Sequence, residues 1–367
     1  MVTEYHRLGD YIREVNVRNR ELKVTNLLGL SMTKQFRPST SNIVGVDLSN
    51  YKIVDYNTFA FDPMSVIRVH KVPIAINETA NSIIVSPAYY TFEISDTSKL
   101  LPQYLMMWIM RPEFDRYADF KSDSAVRGGY DWTELCDTPI YVPSIGRQRE
   151  IVSEYETLTR RIRLNNQMIE KLEATAQALY HKTFVANIDK QNHPQGWHLA
   201  TLGEVATIKA GGDKPNDFSE KQTERYNIPV YANGIENKGI FGYTNKAVIT
   251  AKSITISARG TIGYCFLRRE PYVPIVRLIV VVPHKETTAQ YLYHYIDNSN
   301  IKGSGSVQSQ LTVPDMEKVE IIMPPQKLLE DFHNSAEIID KSISIREQEN
   351  VKLSELQSLH LAKMGQI

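Results

Sequence analysis

The chain has 367 residues, 42% hydrophobic and 23% charged, a balance that suits folded globular domains and argues against a disordered chain. Lys plus Arg and Asp plus Glu each number 42, so the formal charge is zero. That excludes a strongly basic, non-specific nucleic-acid binder, but not a reader of bases whose partners supply phosphate contacts. No apolar run approaches the roughly 20 residues that span a bilayer, and the polar start at Met1 lacks a signal-peptide core, so the cytoplasm is expected. Cys136 and Cys265, far apart, read as reduced thiols, and the scattered histidines offer no zinc spacing.

In chain order, the first block opens on Arg7-Leu8-Gly9-Asp10. It continues through the polar loop Thr33-Lys34-Gln35-Phe36-Arg37 and a second loop over 65–68 that ends at Arg68. Short β-branched and aromatic runs at 82–85 and 89–94 predict strands, and 103–117 predicts a helix. A Gly-containing loop over 124–129 carries Arg127 and leads to Thr138-Pro139-Ile140-Tyr141-Val142-Pro143. A long helix follows. Ile151, Tyr155, Leu158, Ile162, Asn165, Ile169, Leu172, Ala176 and Leu179 alternate steps of four and three, a heptad seam that leaves Arg160, Arg161 and Arg163 outside.

His193-Pro194-Gln195-Gly196 reads as a linker to a second block. Strands are expected within 247–256 and 275–282, and a helix over 289–296. The second helical seam starts at Phe332, Ala336, Ile339 and Ile343, is interrupted by Arg346 and Asn350, and resumes at Leu353 and Met364. Two such seams in one chain most simply pack on each other, and antiparallel packing is expected to hold the blocks at opposite ends.

Laid over itself, the chain repeats. Arg7-Leu8-Gly9-Asp10 matches Thr201-Leu202-Gly203-Glu204, Pro102-Gln103-Tyr104-Leu105 matches Ala289-Gln290-Tyr291-Leu292, and the 138–143 run matches Val319-Glu320-Ile321-Ile322-Met323-Pro324. Three anchors in the same order indicate a duplication whose middle is variable.

Catalytic signatures are missing. There is no GxxxxGK[ST] loop and no HExxH. Asp62-Pro63-Met64 only partly echoes the Asn/Asp-Pro-Pro-aromatic tetrapeptide of amino-methyltransferases and reads as a turn. Asp217 with Glu236-Asn237-Lys238 can be forced into a metal-nuclease pattern, but from common residues. Gly211-Gly212-Asp213 and Arg127-Gly128-Gly129 lack the flanks of a nucleotide site.

What remains is loop chemistry suited to base edges, where Asn pairs with adenine and Arg or Lys with guanine. The candidate DNA-binding residues are Asn233, Asn237, Lys238 and Arg259 in the second block, with Ser306 and Gln308 of its Gly-Ser loop. In the first block they are Lys34, Gln35, Arg37, Arg68 and Arg127.

With repeat, helices and loops assembled, the chain resembles the specificity subunit of Type I restriction-modification systems over nearly its whole length. The most specific features are Asn233-Gly234 through Gly242-Tyr243, the run from Ser257-Ala258-Arg259-Gly260 to Gly263, and Ile321-Ile322-Met323-Pro324-Pro325. The family's acidic-Gln pair after the prolines appears here as Arg147-Gln148 and Lys327-Leu328.

The resemblance implies an α+β fold of two pseudo-repeated α/β target-recognition domains separated by two long helices packed as an antiparallel coiled coil. The corresponding boundaries are 1–143 for the first domain, 144–195 for the first helix and linker, 196–324 for the second domain and 325–367 for the second helix. It further implies a non-catalytic subunit that reads one half of a bipartite double-stranded DNA target with each domain. Such a subunit docks two modification (methyltransferase) subunits, and restriction (endonuclease/translocase) subunits join them. No cofactor or metal is expected in this chain; S-adenosylmethionine is expected in the methyltransferase partner. The alternatives are a scaffold that joins enzyme subunits without reading DNA, and a metal-dependent nuclease.

Overall fold

The structure, a computed structural model, describes residues 5–39, 45–123, 130–186, 194–299 and 310–365. The chain divides into two compact units, Met1–Asn165 with Gln348–Ile367, and Asn166–Glu347. Each unit contains a sheet domain and one end of each long helix.

In the first unit, strand Tyr5–Arg7 pairs antiparallel with Pro139–Tyr141. A four-stranded antiparallel sheet follows in the order Ile12–Glu14, Tyr90–Ile94, Phe59–Phe61, Ile74–Ile76. Phe59, Phe61, Phe92 and Ile74 are fully buried, and helix Pro102–Met110 lays Tyr104, Leu105 and Trp108 on the same core. The second unit repeats the plan. His198–Thr201 pairs with Glu320–Met323, and a four-stranded antiparallel sheet runs Ala206–Ala210, Ile279–Pro283, Ser253–Ile256, Cys265–Arg268. The strand order is the same in both.

The repeat extends to single hydrogen bonds. Leu8 N donates to Thr138 O at 2.9 Å, and Leu202 N donates to Val319 O at 2.8 Å. A Cβ at Gly9 would lie 2.8 Å from Cys136, and one at Gly203 would lie 3.2 Å from Glu317, so the backbone makes a similar close approach at both anchors. Asp131 caps helix Trp132–Cys136 as Thr312 caps Val313–Glu317.

The variable middles differ. The first unit inserts two separate strand pairs, Leu28–Leu30 with Phe36–Pro38 and Lys52–Val54 with Ile83–Val85. The second builds a three-stranded sheet of Ile240–Thr244, Ile228–Tyr231 and Val273–Pro274, whose last pair is parallel.

Two expectations need correction. The helix expected over 103–117 is two helices, Pro102–Met110 and Pro112–Asp123, because Pro112 cannot continue the ladder of the helix before it. The apolar run over 275–282 is not a strand throughout: the strand is Ile279–Pro283, and the residues before it form a turn.

The long helices are Ile145–Phe184 and Gln326–Lys363, of 40 and 38 residues. Their predicted seam positions are buried or half-buried, whereas Arg160, Arg161 and Arg163 are exposed. In the first unit Ile151 O accepts from His360, Thr159 from Gln357 and Glu349 from Asn165, so the helices run antiparallel. In the second unit Tyr180 and Phe184 both contact the Phe332 ring. The seam of the second helix continues where the sequence pattern lapsed, through half-buried Gln357 and His360 and buried Leu361.

Asn165 is 5% exposed, and its amide donates at 2.9 Å to Glu349 and to Asn350. Arg161 joins the cluster through a 2.9 Å ion pair with Glu349. Arg346, at the equivalent seam position of the other helix, is half-buried and donates to Ser342 O of its own helix at 2.8 Å.

Candidate nucleic-acid interface

Strand pairing places several loops at one end of the second unit's sheet. Ile256 pairs with both Cys265 and Ile279, and Ala210 pairs with Ile279. Loop 257–264, turn 275–278 and Gly211-Gly212 therefore leave the sheet at the same edge. Asn233, in the loop that follows strand Ile228–Tyr231, ties two of them: its Nδ2 donates to Val276 O at 2.9 Å, and its Oδ1 accepts from Ala258 N at 2.8 Å. Asn233 is thus largely committed to loop structure, with one N–H and one lone pair left over.

Arg259 follows Ala258 and is exposed, its guanidinium held by Gln310 Oε1 at 3.0 and 2.6 Å. Gln310 immediately follows the Gly-Ser segment; Ser306 and Gln308 lie outside the described residues.

Asn237 and Lys238 form a tight exposed corner with positive φ of 47° and 54°. Gly239 completes it at φ 81°, and a Cβ there would lie 2.6 Å from Ala232 O. Arg268, 5% exposed, supports the corner from beneath. It stacks 3.5 Å over the Tyr231 ring centroid, donates to Thr255 at 2.9 Å and donates to Lys238 O at 2.6 Å. Burial pulls its guanidinium below the ordinary arginine value. The Lys238 ammonium pairs with Glu347 at 2.7 Å, while the Asn237 side chain faces solvent. A shallow cavity of about 270 Å³ runs between this corner and the Asn233–Glu236 stretch.

The first unit has an equivalent sheet end. Phe61 pairs with Tyr90 and Ile74, so the 62–73 connection leaves there, and Tyr130 N donates to Pro63 O as Leu311 N does to Ala258 O. The backbone of Arg68 lies in the short helix Val66–Val69 of this connection. Arg127 lies outside the described residues.

Gln35 and Arg37 are exposed at the end of the hairpin formed by Leu28–Leu30 and Phe36–Pro38, with Arg37 donating to Leu30 O at 3.2 Å. Lys34 is a correction. Its side chain is 5% exposed, donating to Asp115 at 2.7 Å and Ile109 O at 2.8 Å, over the Phe114 ring. It pins the hairpin to helix Pro112–Asp123 and presents no charge to a DNA surface. Burial lowers its affinity for its proton, against the opposing pull of Asp115.

The nuclease pattern is likewise not assembled. Asp217 accepts from Asn245 at 3.3 Å, Lys238 is paired with Glu347, and no group of three or more His, Cys, Asp or Glu among the described residues is placed to hold a metal. Among the described residues no helix is long and apolar enough to cross a membrane.

Sequence reasoning missed Arg277. It stands exposed in the turn clasped by Asn233, and its side chain has no hydrogen-bond or ion-pair partner among the described residues.

Residues 194–357 match the family described as the Type I restriction modification DNA specificity domain. The second half of the chain is thus similar to a Type I DNA specificity domain. The match takes in the whole second sheet domain and most of the second long helix, the parts whose plan recurs in the first half.

A Mycoplasma pneumoniae protein named as a type I specificity subunit is 33% identical over 156 residues, 42% of this chain and 46% of that one. A second from the same organism is 27% identical over 243 residues, 58% of this chain and 67% of that protein. The first alignment spans about half the length of the relative it matches. A crystal structure of a Type I restriction-modification S subunit from M. genitalium shares the fold with a TM-score of 0.59 at 13% identity, over 98% of this chain and 95% of that one.

Proposed function

We propose that this chain is the DNA-recognition subunit of a Type I restriction-modification complex, each sheet domain reading one half of a bipartite double-stranded target. The observation that carries the proposal is the recurrence, in the first unit, of the sheet order and loop-bearing edge found in the specificity domain of the second. A two-part reader follows naturally from two such edges in one chain. In the second unit the edge presents Arg259, and the neighbouring corner presents Asn237, with side chains of the types that bond guanine and adenine.

The catalytic step belongs, in this reading, to two modification subunits that use S-adenosylmethionine, with restriction subunits joining them. The long helices are the docking platform and the spacer between half-targets. The zero net charge fits a complex in which those partners contribute much of the phosphate contact.

The test is DNA binding by the chain together with its modification partner. Sequence-dependent, salt-sensitive binding is expected, with no adenine methylation by the purified chain alone. Sequence-independent binding would instead favour a scaffold that only joins enzyme subunits, and methylation without a partner would overturn the division of labour.

A further inference from the structure

Val276 and Arg277 are consecutive non-glycine residues at positive φ, 52° and 57°. A β-branched residue seldom adopts this conformation, and it persists only where the surroundings hold it. Here they do. Val276 N donates to Gly212 O at 2.9 Å, Arg277 N donates to Gly211 O at 3.1 Å, and Leu278 N donates to Ile275 O at 3.1 Å. In return Gly211 N donates to Leu278 O at 2.8 Å and Gly212 N donates to Pro274 O at 3.2 Å, while Val276 O accepts from Asn233. The clasp needs glycine at 211, since a Cβ there would lie 2.8 Å from Ile275 N.

The backbone of the turn is therefore fixed on both sides. The Arg277 side chain is exposed and has no partner among the described residues. The neighbouring Arg259 differs, because its guanidinium is already held by Gln310. One amide, Asn233, bonds the residue before each arginine, Ala258 N and Val276 O, and so sets both loops at the same sheet edge. A rigid base under an uncommitted planar fork is suited to bidentate hydrogen bonding, in which little is lost to reorganisation.

We infer that Arg277 is a specificity-determining residue of the second domain, reading a guanine edge in its half of the target. The inference rests on the proposed function and adds to it a residue and a base. Guanine offers two acceptors, O6 and N7, to the arginine fork, and loss of such a pair costs about ten- to a hundredfold in discrimination. Lysine supplies charge without the fork.

The test is methylome sequencing of cells carrying the complete system with the native chain, Arg277→Ala or Arg277→Lys. The expected result is that both variants relax one guanine position in one half-target, leaving its other positions and the other half unchanged. An intact motif in the variants would overturn the inference, and so would uniformly reduced methylation, with lysine restoring it, the mark of a phosphate contact. If the native chain directs no sequence-specific methylation, the proposed function itself fails. The two failures are thereby distinct.

Discussion

Tyr104 and Tyr291 hold equivalent places in the two halves, and each donates its hydroxyl proton to a strand carbonyl just before a long helix, Tyr104 to Tyr141 O and Tyr291 to Ile322 O. Both rings are essentially fully buried, and burial raises both phenols above the ordinary tyrosine range, so each remains a donor at any physiological pH. Replacing either by Phe keeps the ring but leaves a carbonyl unsatisfied. Tyr104→Phe and Tyr291→Phe are each expected to cost about 1–2 kcal/mol, read by denaturant unfolding. A loss at one position with none at the other would show that the repeated bond does not have a repeated role.

Asn233 and Asn237 make a second contrast. Asn233→Ala removes two hydrogen bonds within the second unit and is expected to cost about 1–3 kcal/mol of stability. Asn237→Gly preserves the left-handed corner and is expected to change stability by less than about 1 kcal/mol. Thermal or denaturant melts decide this, and equal losses would contradict the assignment of Asn233 to structure and Asn237 to the surface.

How much of this could be read from the sequence follows from the range of the interactions. Gly9 and Gly203, Tyr104 and Tyr291, and the seam positions serve backbone approach or a local period, so self-comparison and helical spacing exposed them. Lys34 looked like a solvent-facing cation because its partner Asp115 is 81 residues away and meets it only on folding. Arg277 was hidden differently. The run from Ile275 to Val282 reads as one strand, and only the Asn233 and Gly211-Gly212 bonds turn its first part into a loop.

His294 gives the second unit an acid-sensitive core. Its ring stacks on Tyr180, and its Nδ1 lies 2.8 Å from Gln177 Oε1. Burial lowers its pKa to about 4, despite the opposing influence of Asp297 and Asp340, with Arg269 adding to the depression. The unfolded chain, titrating near about 6.5, binds the proton more tightly. This contribution is therefore complete above pH about 6.5 and is lost as pH falls towards about 4. Between pH 7 and 5 the native chain is expected to lose about 1–2 kcal/mol more than His294→Phe. Parallel pH profiles in urea titrations would contradict this.

The proposed spacer role of the long helices predicts a change in target geometry. Four residues inserted after Glu170, matched by four after Ser344 in the second helix, would add about 6 Å and about one turn to the pair. The preferred gap between half-targets is expected to lengthen by about one or two base pairs, at 3.4 Å per pair, while both half-sequences persist. Methylome sequencing reads the gap directly, and an unchanged gap in an active insertion variant would remove the spacer role.

The central claim is that one domain reads one half of a two-part target. The measurement that tests it most directly is the methylated motif in cells carrying the complete system, compared between the native chain, Asn237→Gly and Arg259→Ala. The account predicts a bipartite motif for the native chain, and for both variants relaxation within the same half with the other half unchanged. A continuous motif, or changes spread over both halves, would contradict it.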